Sequence, residues 1–168
     1  MADRAGRWPA FAAVGAVFLL DRLSKWLVES QLGGSETRVV VPGLLNLIRT
    51  ENRGAAFSLL AGIESELAMW LLIALSAGAA VMISVWLWHS GGRPGTSGRL
   101  RFGLALIAGG ALGNLYDRAL RGAVVDFLEL YAGEFRWPAF NLADTAITVG
   151  AALALWDMWR SRRAGQGA

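Results

Sequence analysis

PAFNLADTAITVG, residues 138–150, reads as the entry to a membrane helix with a carboxylate inside it. The apolar block around it, 137 to 156, carries Asp144 as its one charge. An acid at the centre of a membrane helix costs about 2.5–3.5 kcal/mol on insertion scales. What Asp144 does therefore decides how the chain is read.

Three more apolar blocks flank it. Residues 67–88, LAMWLLIALSAGAAVMISVWLW, run 22 positions without a charge, enough helix to cover a hydrocarbon core of about 30 Å. FGLALIAGGALGNLY, 102–116, continues through Leu120, and another block runs from Trp8 past Asp21 to about Val28. With 55% hydrophobic and 17% charged residues over 168 positions, the chain is too apolar for an ordinary soluble domain. The expectation is an all-α membrane protein, one domain over 1–168 with spans at about 8–28, 67–88, 102–120 and 137–157. The first block has Arg4 and Arg7 ahead of it, as a signal peptide would. It ends in DRLSK rather than in small residues suited to cleavage, and so reads as a retained helix.

Charge orients the spans. The N-terminal tail, the 89–101 loop and the C-terminal tail hold eight arginines against Asp3 and Asp157. The 29–66 loop holds three arginines against five glutamates. The positive-inside rule puts both termini in the cytoplasm and the 29–66 loop outside. The net charge of +3 then reflects topology rather than nucleic acid binding, because the bases are scattered over tails. With no cysteine, disulfides, thiol nucleophiles and cysteine metal sites are excluded.

In the outer loop, β-branched runs broken by Pro42-Gly43 and Asn52-Arg53-Gly54 predict a small sheet or hairpin. HSGGRPGTSGRLR, 89–101, reads as a flexible linker, and 121–137 as a short outer loop of mixed character. Gly109 and Gly113 are four apart, a spacing that lets helices approach closely.

Placed by depth, Asp21, Lys25, Asn114, Asp117, Arg118, Asp126, Asn141 and Asp144 all fall near the outer boundary. Asp144, seven residues past Trp137, sits roughly 10 Å below that boundary at helical rise, with Asn141 on the same face. Asp21 with Lys25 is explained as an i, i+4 pair, and Asp117 or Arg118 as residues that anchor or pair. The one histidine, His89, lies at the cytoplasmic end, which argues against a serine–histidine triad or a zinc site. A Lys25–Ser58 dyad stays open. The other pairing is Asp126 with Asp144, 18 positions apart, which antiparallel helices would bring together. Two carboxyls in a half-buried site share a proton, so one serves as base and the other as acid. Such a pair activates water against a peptide bond without a metal or cofactor.

NRGAAF (52–57), GNLYDR (113–118), VVDF (124–127) and FNLADTAI (140–147) occur in that order, after DRLSK (21–25). In this the chain resembles the lipoprotein signal peptidases, or signal peptidase II, over nearly its whole length. The resemblance implies four transmembrane helices with a small outer sheet cradle and a short surface helix. It implies an aspartyl endopeptidase of the bacterial inner membrane that removes the signal peptide of diacylglyceryl-modified prolipoproteins, cutting just before the lipidated cysteine. Asp126 and Asp144 match the family's catalytic pair. Asn52, Gly54, Asn114, Arg118 and Asn141 match residues that hold substrate or inhibitors such as globomycin, and Asp21 and Lys25 a supporting pair. The expected form is a monomer. Arg22, Arg53 and Thr145 depart from the commoner glutamine, small polar residue and serine. The rival reading is a non-enzymatic membrane protein, such as a transporter subunit or scaffold, with Asp144 on an ion path. A path needs polar residues through its whole depth, and here they are confined to the outer third.

Overall fold

The computed structural model describes residues 7–34, 36–53, 65–91 and 96–165. Four long helices are present: α1 (Arg7–Gln31), α2 (Ser65–Ser90), α3 (Gly98–Arg121) and α4 (Leu142–Gly165). Between α1 and α2 lie β1 (Arg38–Val41) and β2 (Leu45–Asn52), and between α3 and α4 lie β3 (Val124–Ala132) and β4 (Phe135–Arg136). The strands form one antiparallel sheet in the order β1-β2-β3-β4, so both interhelical excursions meet at one end of the bundle.

Among the described residues, one helix, Glu66–Ser90, is long and apolar enough to cross a bilayer by length and composition alone. The central helix is α3, packed on α1, α2 and α4. Its glycines set how close those neighbours come. A Cβ on Gly110 would lie 2.4 Å from the Ala143 carbonyl oxygen, and one on Gly109 would lie 2.7 Å from Val17 Cβ. Gly103 and Gly150 face each other in the same way, each too close to the other's carbonyl for a side chain. The predicted Gly109/Gly113 face does meet its neighbours closely: Gly109 faces α1, and Gly113 lies against Asp21 and Ala143.

Small residues fill the bundle, with Ala10, Val14, Leu87, Ala105 and Ala108 at its core. Val28 and Leu32 at the end of α1 pack on Phe127 and fasten β3 to the helices. The β1–β2 hairpin turns at Pro42-Gly43, where Gly43 has φ +77 and only glycine is unstrained. That turn was legible, but the sheet is larger than predicted. Residues 124–132, read as a mixed loop, form its third strand, with Thr50 opposite Asp126 and Asn52 opposite Val124.

Helix boundaries also differ from the sequence reading: α1 runs to Gln31 instead of 28, and α4 to Gly165 instead of 157. α3 begins at Gly98 instead of 102, because Ser97 caps it by accepting a hydrogen bond from Arg99 N at 3.1 Å. α4 begins at Leu142 instead of 137. Pro138 lacks a backbone donor, and Phe140 pairs with Leu128 across an isolated bridge. No short surface helix occurs among the described residues, and Gly54, Ser58 and part of the 89–101 linker lie outside them.

Candidate active site

The entry to α4 is built as a capping box. Asn141 Oδ1 accepts from the Asp144 backbone N–H at 2.9 Å, and Asp144 Oδ2 accepts from the Asn141 N–H at 3.3 Å. Another donor of that turn, Ala143 N–H, points at Asp21 Oδ1 at 3.0 Å. Asp144 is therefore in the first turn of α4, where unpaired N–H groups favour a negative charge. This corrects the sequence placement. Asp144 lies about 3 Å from the helix start rather than 10 Å down a longer helix, and Asn141 caps the helix rather than sharing its face.

Asp126 reaches the same place from the sheet, not from a helix as the antiparallel-helix reading required. It sits on β3 with 2% of its surface exposed. Asn52, diagonal to it across β2, donates to Oδ2 at 3.1 Å, and Asn141 Nδ2 donates to Oδ1 at 2.7 Å. Burial pushes the Asp126 carboxyl up to about 6 from its ordinary 3.8; the Asn52 hydrogen bond opposes this and the Asp144 charge adds to it.

Asn114 on α3 links the two halves. Its Oδ1 receives Lys25 Nζ and Asn141 Nδ2, each at 3.2 Å. With its oxygen so occupied, its amide nitrogen faces Asp144 Oδ1 and donates at 2.7 Å. Lys25 is completely buried and spends its charge on Asp21 Oδ2 at 2.8 Å and on Asp117 Oδ2, also at 2.8 Å. The contact with Asp117 is an ion pair rather than a directional hydrogen bond. Arg22 closes the cluster from the other side by pairing with Asp117 Oδ1. Two cations and two anions thus cancel behind the site. A Lys25 so committed is unavailable as a general base, which removes the support for the Lys25–Ser58 dyad.

Asp126 and Asp144 open onto one cavity of about 460 Å³. Asn52 and Arg118 line it beside them, with Thr145 and Thr148 along α4 and an apolar wall that includes Leu130, Trp137 and Phe140. The Arg118 charge acts on Asp144, Asp126 and Asp117, and its buried Nε has no hydrogen-bond partner. Among the described residues no group of His, Cys, Asp and Glu is arranged to hold a metal ion.

Eight of the nine site residues expected from sequence converge here: Asp126, Asp144, Asn52, Asn114, Arg118 and Asn141 at the cavity or one hydrogen bond from it, Asp21 and Lys25 behind. The ninth, Gly54, lies outside the described residues. Sequence reasoning left Asp117 to anchor or to pair with its neighbour Arg118, and did not see that Arg22 pairs with it across 95 positions. It also missed the capping role of NLAD, whose N-x-x-D spacing is a readable signal.

The architecture is one found in bacterial membrane enzymes. One solved structure so described superposes with a TM-score of 0.79 at 23% identity, covering 96% of this chain and 94% of its own. A second superposes with a TM-score of 0.75 at 24% identity, covering 94% and 97%. The family model for signal peptidase (SPase) II matches residues 13–160. A lipoprotein signal peptidase of Solibacter usitatus is 41% identical over 157 residues, 94% of either chain. One of Pseudomonas aeruginosa is 44% identical over 168 residues, 99% of this chain and 96% of the relative. The chain belongs to the signal peptidase II family.

Proposed function

We propose that this protein is an aspartyl endopeptidase that removes the signal peptide from diacylglyceryl-modified prolipoproteins. In this reading α1 to α4 all cross the bacterial cytoplasmic membrane as one domain, with both tails in the cytoplasm and the sheet on the outer face. Exposed apolar side chains such as Leu19, Leu75, Val81 and Leu155 on three of these helices support it. The observation that carries the reading is the convergence of Asp126 and Asp144 on one cavity, cross-linked by Asn114 and Asn141.

The chemistry follows from the shared proton. One carboxylate takes a proton from water as the water oxygen attacks the carbonyl carbon before the lipidated cysteine. The other carboxyl protonates the carbonyl oxygen. Collapse of the tetrahedral intermediate breaks the C–N bond, and the cysteine amine leaves with a proton returned by the pair. Asn52, Gly54, Asn114, Arg118 and Asn141 hold substrate and carboxyls in register, while Asp21 and Lys25 brace them. The apolar wall suits acyl chains at membrane depth. The same cavity would take inhibitors of the globomycin type. A single chain contributes every group, so a monomer suffices.

The test is cleavage of one preprotein with and without its diacylglyceryl group, both inserted in vesicles at equal density. Much faster cleavage of the lipidated form is expected, because the lipid fixes depth and register. Equal rates would make the protein a general signal-peptide protease. No cleavage of either would refute the reading.

A further inference from the structure

Arg118 has three carboxylates within electrostatic reach, Asp144, Asp126 and Asp117, yet forms no ion pair within 4.0 Å among the described residues. Of the three, Asp117 is its chain neighbour and is completely buried. It is also already taken, since both of its oxygens are engaged from α1: Oδ2 by Lys25 at 2.8 Å and Oδ1 by Arg22. Lys25 is shared with Asp21 and cannot neutralise two acids alone. Arg22 is held to its task. Its guanidinium lies 4.6 Å from the centre of the Tyr116 ring, which in turn packs edge-on against Phe18.

We propose that Arg22 is a positioning residue for the Asp126–Asp144 pair: by holding Asp117, it leaves Arg118 to the cavity. The inference rests on the peptidase reading above. Without a donor at position 22, one buried oxygen of Asp117 loses its partner; Arg121, the other cation in reach of it, is paired with Glu29 at 2.5 Å, which leaves Arg118 to supply one. Turning toward Asp117 withdraws the Arg118 charge from the two catalytic carboxyls. A glutamine at this position would fill the same role, because an amide N–H also reaches a carboxylate oxygen.

The charged and titratable groups around this switch are Asp21, Arg22, Lys25 and Glu29 on α1, Tyr116, Asp117, Arg118 and Arg121 on α3, Asp126 on β3 and Asp144 on α4. β2 contributes the neutral Asn52. On α2 the titratable groups are Glu66, exposed in the first turn, and His89 in the last.

The experiment compares Arg22→Met, Arg22→Gln and Arg22→Lys in the full chain in one detergent, each with a thermal melt. Arg22→Met is expected to lower kcat/KM about tenfold, mostly through KM. It should also move the alkaline limb of the pH profile upward by about half a unit, since loss of a nearby cation makes the pair hold its proton longer. The Gln and Lys variants, which keep a donor, should stay within about threefold of the parent. An Arg22→Met enzyme with an unmoved alkaline limb overturns the proposal, whether its activity is normal or falls only with its folded fraction. So does an Arg22→Gln enzyme as impaired as Arg22→Met. Infrared titration of the Asp126 carboxyl, assigned by its loss in Asp126→Asn, reads the same charge without turnover. A shifted midpoint with no cleavage by parent or variant sinks the peptidase reading and leaves the positioning role standing.

Discussion

Replacing Asp126 with asparagine should abolish cleavage and make the protein more stable, and the gain should depend on pH. Folded, Asp126 holds its proton up to about 6, against 3.8 in an unfolded chain. Between those values the folded state binds more protons than the unfolded one, so stability falls as pH rises, and the cost is fully present above about 6. A shift of about 2 units is worth about 3 kcal/mol. Asparagine escapes that cost but presents an N–H to either Asn52 or Asn141, both of which donate to Asp126 now. One mismatched amide costs about 1 kcal/mol. The net gain at pH 7.5 is about 2 kcal/mol, or roughly 4–8 °C in Tm for a chain of this size. Melting parent and variant at pH 7.5 and pH 4 checks it. At pH 4 the folded parent is already neutral at Asp126, and the difference should shrink by more than half. An Asn variant no more stable at pH 7.5, or a gain equal at both pH values, would refute the claim that a buried carboxylate is kept at a structural cost.

In the pH–rate profile, kcat/KM should fall as pH rises above about 6, where the pair loses the proton that Asp126 holds; a flat profile from pH 5 to 8 would count against a shared proton. Asn114→Ala and Asn141→Ala should each slow cleavage and lower stability, the first by about 1–3 kcal/mol because it leaves the buried Lys25 and Asn141 donors unpaired, the second also by losing the α4 cap at about 1 kcal/mol; rates and melts on the two variants check this. Gly110→Ala should destabilise the protein by about 1–3 kcal/mol and cut activity, because its Cβ would lie 2.4 Å from the Ala143 carbonyl, one residue from Asp144. Cysteines at Ser35, Gly95 and Gly167 should react with an impermeant thiol reagent in intact cells only at the first position, and labelling at Gly95 would reverse the proposed topology.

Composition and charge spacing made α2 and the acidic pair legible, because an uninterrupted apolar run and a buried acid are both local signals. The start of α4 was misread by five residues. Ala139 and Phe140 are as apolar as the helix that follows, and hydropathy cannot see that Pro138 and the Leu128 bridge keep them extended. Asp126 was found but put on the wrong kind of element. VVDFLELYA carries the β-branched start of a strand, yet its first four residues are buried and its alternation is lost. Arg22 and Asp117 were seen separately. Helical spacing links residues four apart, as it did for Asp21 and Lys25, and says nothing about partners on a different helix.

The bridge between Phe140 and Leu128 bears on how such a site diversifies. Phe127 N and Leu128 N both donate to Phe140 O, at 3.0 and 2.8 Å, and Phe140 N returns a bond to Leu128 O at 3.0 Å. These main-chain bonds tie the strand carrying Asp126 to the segment that leads into Asp144. The gap between the two acids is therefore gauged by peptide groups, which every sequence possesses, and not by the side chains of the wall. Leu130 and Trp137 are free to drift, reshaping what the cavity admits, while the two carboxyls keep their places.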